Sequence, residues 1–182
     1  MLEGDSSSLY NYFWKIKALA SVYITAWRVL ENKIATKINQ TRCKVAVDNT
    51  VCCFWREKEE TTIHLFFECI VAWLVWNLCY AWAGLKSVDH LEPTSHFLHF
   101  NLIGAPTVVN LAFGNIWIAL VREVWLLMNK HIFKGGVIDH FEIFSFVQRY
   151  GLGLLPKFLL LFSFSNCCLD HWFVCFQLKT ND

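Results

Sequence analysis

The sequence predicts a mainly α-helical protein: a small helical module, a long amphipathic helix behind it, and an irregular C-terminal tail. Two observations carry this. Apolar residues recur at helical spacing, at Trp27, Leu30, Ile34 and Ile38 and again at Phe113, Trp117, Leu120, Val124 and Met128. The three prolines and all glycines but Gly114, the usual breakers, lie outside these stretches. The chain has 182 residues, enough for one domain or one domain plus an extension. With 55% apolar and 17% charged residues it can bury a core, which excludes intrinsic disorder.

The elements follow in order. In the stretch from Trp27 to Ile38 the cations Lys33 and Lys37 repeat at i,i+4 opposite the apolar stripe. A second helix is expected from about Leu65 to Trp82, on the spacing of Phe66, Ile70, Trp73 and Asn77, with Thr61 or Thr62 as its cap. Ser87 to Val108 reads as loop, punctuated by Pro93, Gly104 and Pro106. The long helix should run from Val109 to His131 and stop at Gly135-Gly136. The expected divisions are thus a module at 10–85, a linker at 86–108, a helical extension at 109–146 and a tail at 147–182. The tail has no clear period, and no internal repeat is present.

Overall charge selects no partner, since 16 cations face 15 anions. Its distribution is more informative. Between Tyr10 and Val47 lie seven cations and one anion, Glu31, a local net charge of +6. The start, Met1 to Ser8, is acidic and polar and does not resemble a signal peptide, so an intracellular site, nuclear or cytoplasmic, is expected rather than secretion. Eight cysteines in such a chain suggest metal ligation or burial before disulfides. Two uncharged runs, 69–85 and 93–121, raise the alternative of a small membrane protein with one or two hydrophobic helices. The first is shorter than the ~20 residues a span needs, and the second is interrupted by Pro93, His96, His99, Asn101, Pro106, Asn110 and Asn115. A membrane partner is therefore not expected. No adjacent aspartates suit two-metal phosphoryl transfer, and there is no Walker loop, G-x-S-x-G or H-E-x-x-H. The chain does not read as an enzyme.

One constellation carries chemistry. Cys52, Cys53, His64 and Cys69 fall within eighteen residues, and His64 and Cys69 form an H-x₄-C pair. A structural zinc site pairs these with C-x₂-C, but Trp55 stands where the second cysteine would be. Five residues turn an α-helix by about 500°, so His64 and Cys69 can share an ion only if His64 precedes the helix or sits on a distorted first turn. The competing explanation is plain cysteine burial.

At these residues the chain resembles the zinc-binding domain that follows the reverse transcriptase in plant non-LTR (LINE-type) retrotransposon polyproteins. The matching pieces are Phe13-Trp14-Lys15, Trp27-Arg28-Val29-Leu30, Ala35-Thr36-Lys37, Cys52, Glu59-Glu60, His64-Leu65-Phe66-Phe67-Glu68-Cys69 and Trp76. A weaker likeness to W-x-x-R-N-x-x-x-F lies at Trp125, Asn129 and Phe133, with Met128 in place of Arg. The resemblance implies Zn²⁺ at Cys52, His64 and Cys69, with Trp55 in the place of the fourth ligand. Cys53 is a poor substitute, because adjacent side chains in an extended chain point to opposite faces. It also implies a non-catalytic role in holding RNA or DNA without sequence preference, beside the reverse transcriptase of a parent polyprotein. Lys33, Lys37, Arg42 and Lys44 are the expected phosphate contacts, with Trp14, Tyr23 and Trp27 interleaved. Trp55, Met128 and the unplaced tail suggest a degenerate copy, whose zinc binding is expected to be weak or lost.

Overall fold

The computed structural model describes residues 6–85, 92–135 and 139–154. Their elements are α1 (Ser6–Phe13), α2 (Ala20–Leu30), α3 (Lys37–Arg42), a π-turn (His64–Glu68), α4 (Ile70–Ala83), α5 (Pro93–Leu98), α6 (Thr107–Lys134) and α7 (His140–Leu154). Among the described residues there is no β-strand, and a single antiparallel bridge joins Val51 and Glu59. The mainly helical class is as the sequence predicts.

Helix α6 is the axis of the molecule. It packs on α2 and α7, while α4 packs on α7 and the π-turn. Its central Trp117 is fully buried, with the Phe97 ring edge-on at 4.9 Å. The Trp117 indole N–H donates to His96 Nδ1 at 2.9 Å. Because indole only donates, the proton of neutral His96 sits on Nε2, which faces Tyr80 Oη at 2.9 Å. By length and composition α6 could cross a membrane, yet most of its apolar stretch is buried against the rest of the fold. Gly135, at φ 63°, ends it as the sequence predicts.

Two expectations are corrected. The periodic stretch from Trp27 to Ile38 is not one helix. Helix α2 ends at Leu30, Asn32 takes a left-handed φ of 51°, and Thr36 starts α3 by accepting from the Asn39 N–H. Asparagine tolerates that backbone better than most residues, and Thr62 Oγ1 fixes it by donating to Asn32 Oδ1 at 2.6 Å. Lys33 and Lys37 therefore do not share a helix face. Within the stretch read as a loop, Pro93–Leu98 is helical, its N-terminus capped by the Glu92 carboxylate on the Ser95 N–H at 2.7 Å. Phe97 and Phe100 of this segment are core residues.

The tail differs in part as well. Helix α7 continues through Gly151 and Gly153 to Leu154, and the rest of the expected tail, from 155 onward, lies outside the described residues.

Candidate metal centre

The site is built on two turns. The first is a short ribbon in which Cys52 N–H donates to Lys58 O at 2.8 Å and Glu60 N–H donates to Thr50 O at 2.8 Å. Between these bonds the chain doubles back, with Trp55 O accepting from Glu57 N–H at 2.8 Å. The backbone amides of Phe54 and Trp55 face the Cys52 sulfur. This is the turn a C-x₂-C knuckle would need, formed although residue 55 is not cysteine.

The second turn solves the spacing problem. Thr61 Oγ1 caps its start by accepting from His64 N–H at 3.0 Å, so Thr61 is the cap the sequence offered. His64–Glu68 then winds as a π-turn, closed by Cys69 N–H donating to His64 O at 2.7 Å. An i→i+5 ring brings the fifth residue back over the first, which an α-turn does not. The chain straightens at Cys69 (ψ 138°) and re-enters a helix at Ile70. Trp76 holds the arrangement by donating from its indole N–H to Phe66 O at 2.7 Å. Cys69 precedes α4, and the Val71 and Ala72 amides face its sulfur.

Cys52, His64 and Cys69 converge, with one ligand atom of each within 4.8 Å of the other two. All three residues are buried. The two sulfurs lie 3.9 Å apart. Tetrahedral zinc with Zn–S bonds near 2.3 Å would set two thiolates about 3.8 Å apart. Both ring nitrogens of His64 are buried without a hydrogen-bond partner among the described residues. A buried polar atom left unpaired costs about 1–3 kcal/mol, and a bound metal would remove that cost at one nitrogen. Metal-bound histidines commonly place a carboxylate at the second nitrogen. Glu68 offers one, with Oε2 at 3.6 Å from Nδ1, and Lys58 neutralises it at 3.5 Å. The donor set fits a thiophilic ion on three corners.

Protonation favours the same chemistry. The Cys52 thiol is pulled well below its ordinary range because it accepts from the Cys53 and Cys69 thiols and from the Trp55 and Phe54 amides. Cys69 and Cys53 are pushed up because each shares its proton with Cys52 and is partly desolvated. An ion that displaced those protons would take their place between the sulfurs.

The fourth corner is where this chain departs from a complete set. The Trp55 ring lies 5.8 Å from the His64 ring, its N–H donating to Glu57 at 3.1 Å and Lys58 above its face at 5.3 Å. Cys53 touches Cys52 but is not part of the converging group, and Cys43 is exposed at the end of α3.

The expected phosphate contacts are dispersed. Lys33 pairs with Glu31 at 3.2 Å and lies over the Trp27 ring. Lys37 is structural, its Nζ donating to Val51 O at 2.6 Å and Asn49 Oδ1 at 3.1 Å. Arg42 donates to Asn39 at 3.2 Å, and Lys44 is exposed.

Sequence reasoning gave Glu60 no role beyond its place in the Glu-Glu link. It is 1% exposed and accepts from Lys37 N–H at 3.1 Å, tying α3 to the ribbon. Its other oxygen has no partner among the described residues, and burial raises its pKa. A carboxylate with a raised folded-state pKa favours folding at low pH and loses that contribution as pH rises through the folded value. Glu60→Gln keeps the acceptor and cannot ionise. Thermal melts of the two proteins should therefore coincide below about pH 4, with the variant gaining stability over the native chain as pH rises toward 7.

No curated protein matches the chain, and no solved structure does. A protein-family model described as zinc-binding in reverse transcriptase matches residues 2–76, a range that holds both turns, the three converging ligands and Trp76. Residues 2–76 are thus similar to the zinc-binding domain of reverse transcriptases, a likeness that covers less than half of the chain.

Proposed function

We propose that the chain is a non-catalytic, retrotransposon-derived module of the plant LINE type. Its zinc-type knuckle orders a basic surface for RNA or DNA, in the service of a reverse transcriptase. The observation that carries this reading is the buried Cys52–His64–Cys69 group with unpartnered imidazole nitrogens, inside a segment of that family. Cys52, His64 and Cys69 would hold the ion, which would supply folding free energy and no chemical step. The amides of Phe54, Trp55, Val71 and Ala72 would stabilise the thiolates, and Trp55 would leave the tetrahedron incomplete. Zinc binding is therefore weak, the mark of a degenerate copy. Elemental analysis of protein purified with and without added zinc tests the metal, with sub-stoichiometric zinc expected unless zinc is supplied.

Nucleic-acid binding should be non-specific and fall steeply with salt. Each phosphate contact adds roughly 0.7–0.9 to the slope of log K against log salt. Replacing Lys33, Arg42 and Lys44 together by Ala, while sparing structural Lys37, should flatten that slope by about 2. Unchanged affinity and slope would mean that this part of the basic surface only solvates the fold.

A further inference from the structure

A row of rings on α2 and the turn before it has no role in the metal centre. Trp14, directly after α1, is 59% exposed, large for a tryptophan. Its ring is held in place, packed edge-on to Phe13 at 4.9 Å and tilted on Tyr23 at 5.9 Å. Tyr23 and Trp27 are one helical turn apart on α2 and both half-buried. Lys33 Nζ lies 5.0 Å from the Trp27 ring centre and ends the row.

The charges beside this row have one sign. Lys15 and Lys17 lie within three residues after Trp14, and exposed Arg28 follows Trp27. Among the described residues none of these three is in an ion pair. Glu31, the single anion between Tyr10 and Val47, is taken up by the Tyr10 hydroxyl and by Lys33. An exposed but immobilised indole among unpaired cations suits a ligand with flat faces and a negative backbone. Duplex nucleic acid hides its base faces, whereas single strands offer them.

We propose that Trp14, Tyr23 and Trp27 form a stacking platform for single-stranded nucleic acid, with Lys15, Lys17 and Arg28 meeting its phosphates. The platform rests on the nucleic-acid reading above and names its substrate class. It also extends the contact surface from the end of α3, where Lys37 is committed to the fold, to α2 and the turn before it.

The test uses the full chain and two fluorescein-labelled probes, an oligothymidylate and a blunt duplex of equal length, with polarisation read across a salt series. The native chain should prefer the single strand. Trp14→Ala should weaken single-strand binding by roughly 5- to 100-fold without changing the salt slope, because a stacking contact releases no counterions. Trp14→Phe should recover most of the loss, and Arg28→Ala should instead lower the slope by about 0.7. Circular-dichroism melts of each variant confirm that the fold is retained. Native-level single-strand binding by folded Trp14→Ala would overturn the platform and leave the nucleic-acid reading standing. Equal or tighter binding of the duplex would do the same. Binding of neither probe by the native chain would overturn both.

Discussion

Trp55→Cys should raise zinc affinity by about 100-fold or more. Structural zinc sites of four ligands carry about 10–16 kcal/mol of apparent binding free energy, so one ligand's share is roughly 3 kcal/mol, or two decades in affinity. The backbone is ready for the change, since the Phe54 and Trp55 amides already face the Cys52 sulfur as a C-x₂-C turn requires. The substitution also carries a cost. Trp55 loses its bond to Glu57 and its contact with Lys58, so in chelator the variant should melt below the native chain. With excess zinc the order should reverse, because an ion that binds the folded state raises its stability by mass action. The crossing of the two orders is the signature. A native chain that already holds one zinc as tightly as the variant would show the fourth corner to be filled by another residue.

Gly114→Val should lower the melting temperature by about 5–10 °C. Glycine inside a helix is ordinarily a liability, and alanine there gains up to about 1 kcal/mol in propensity. Here a Cβ at position 114 would lie 2.5 Å from Ile16 Cδ1 and 2.7 Å from Tyr12 Oη. Both neighbours are themselves fixed. Ile16 is 1% exposed, and Tyr12 donates to Asn110 O at 2.5 Å. A branched side chain would therefore force Tyr12 and the turn after α1 away from α6, a contact that supplements the packing of α2 on the same helix. Ile16→Val should recover part of the loss in the double variant and cost little alone, the non-additivity expected of touching residues. Additive effects would show that the two segments do not meet here.

Much of this architecture was legible because it follows from apolar spacing. Helix α6 covers the expected 109–131 and extends it by a few residues at each end, to Thr107 and Lys134, and Gly135 stops it. The H-L-F-F-E-C run located the centre and posed its geometric problem. Spacing alone does not announce a π-turn, because that depends on how Trp76 meets the Phe66 carbonyl and where Cys69 leaves the helix. The break at Asn32 was hidden for a similar reason. Trp27 to Ile38 keeps helical period in sequence, but a long-range bond from Thr62 stabilises the left-handed turn. Helix α5 was missed because Pro93 reads as punctuation, although proline behind a capping Glu92 is a good first helical residue. Lys37 looked like a surface cation until the ribbon carbonyl at Val51 was placed beside it.

In the proposed metal centre two cysteines and one histidine hold the ion, with residue 55 as its gap. Titration with Co²⁺ addresses it directly, since thiolate-to-cobalt charge-transfer absorption grows with the number of bound thiolates. The native chain should show a two-thiolate spectrum that Cys53→Ser leaves unchanged and that Cys52→Ser and Cys69→Ser each reduce. Trp55→Cys should raise the absorption by a further thiolate. A native spectrum that Cys53→Ser diminishes, or that survives the loss of Cys69, would contradict the assignment.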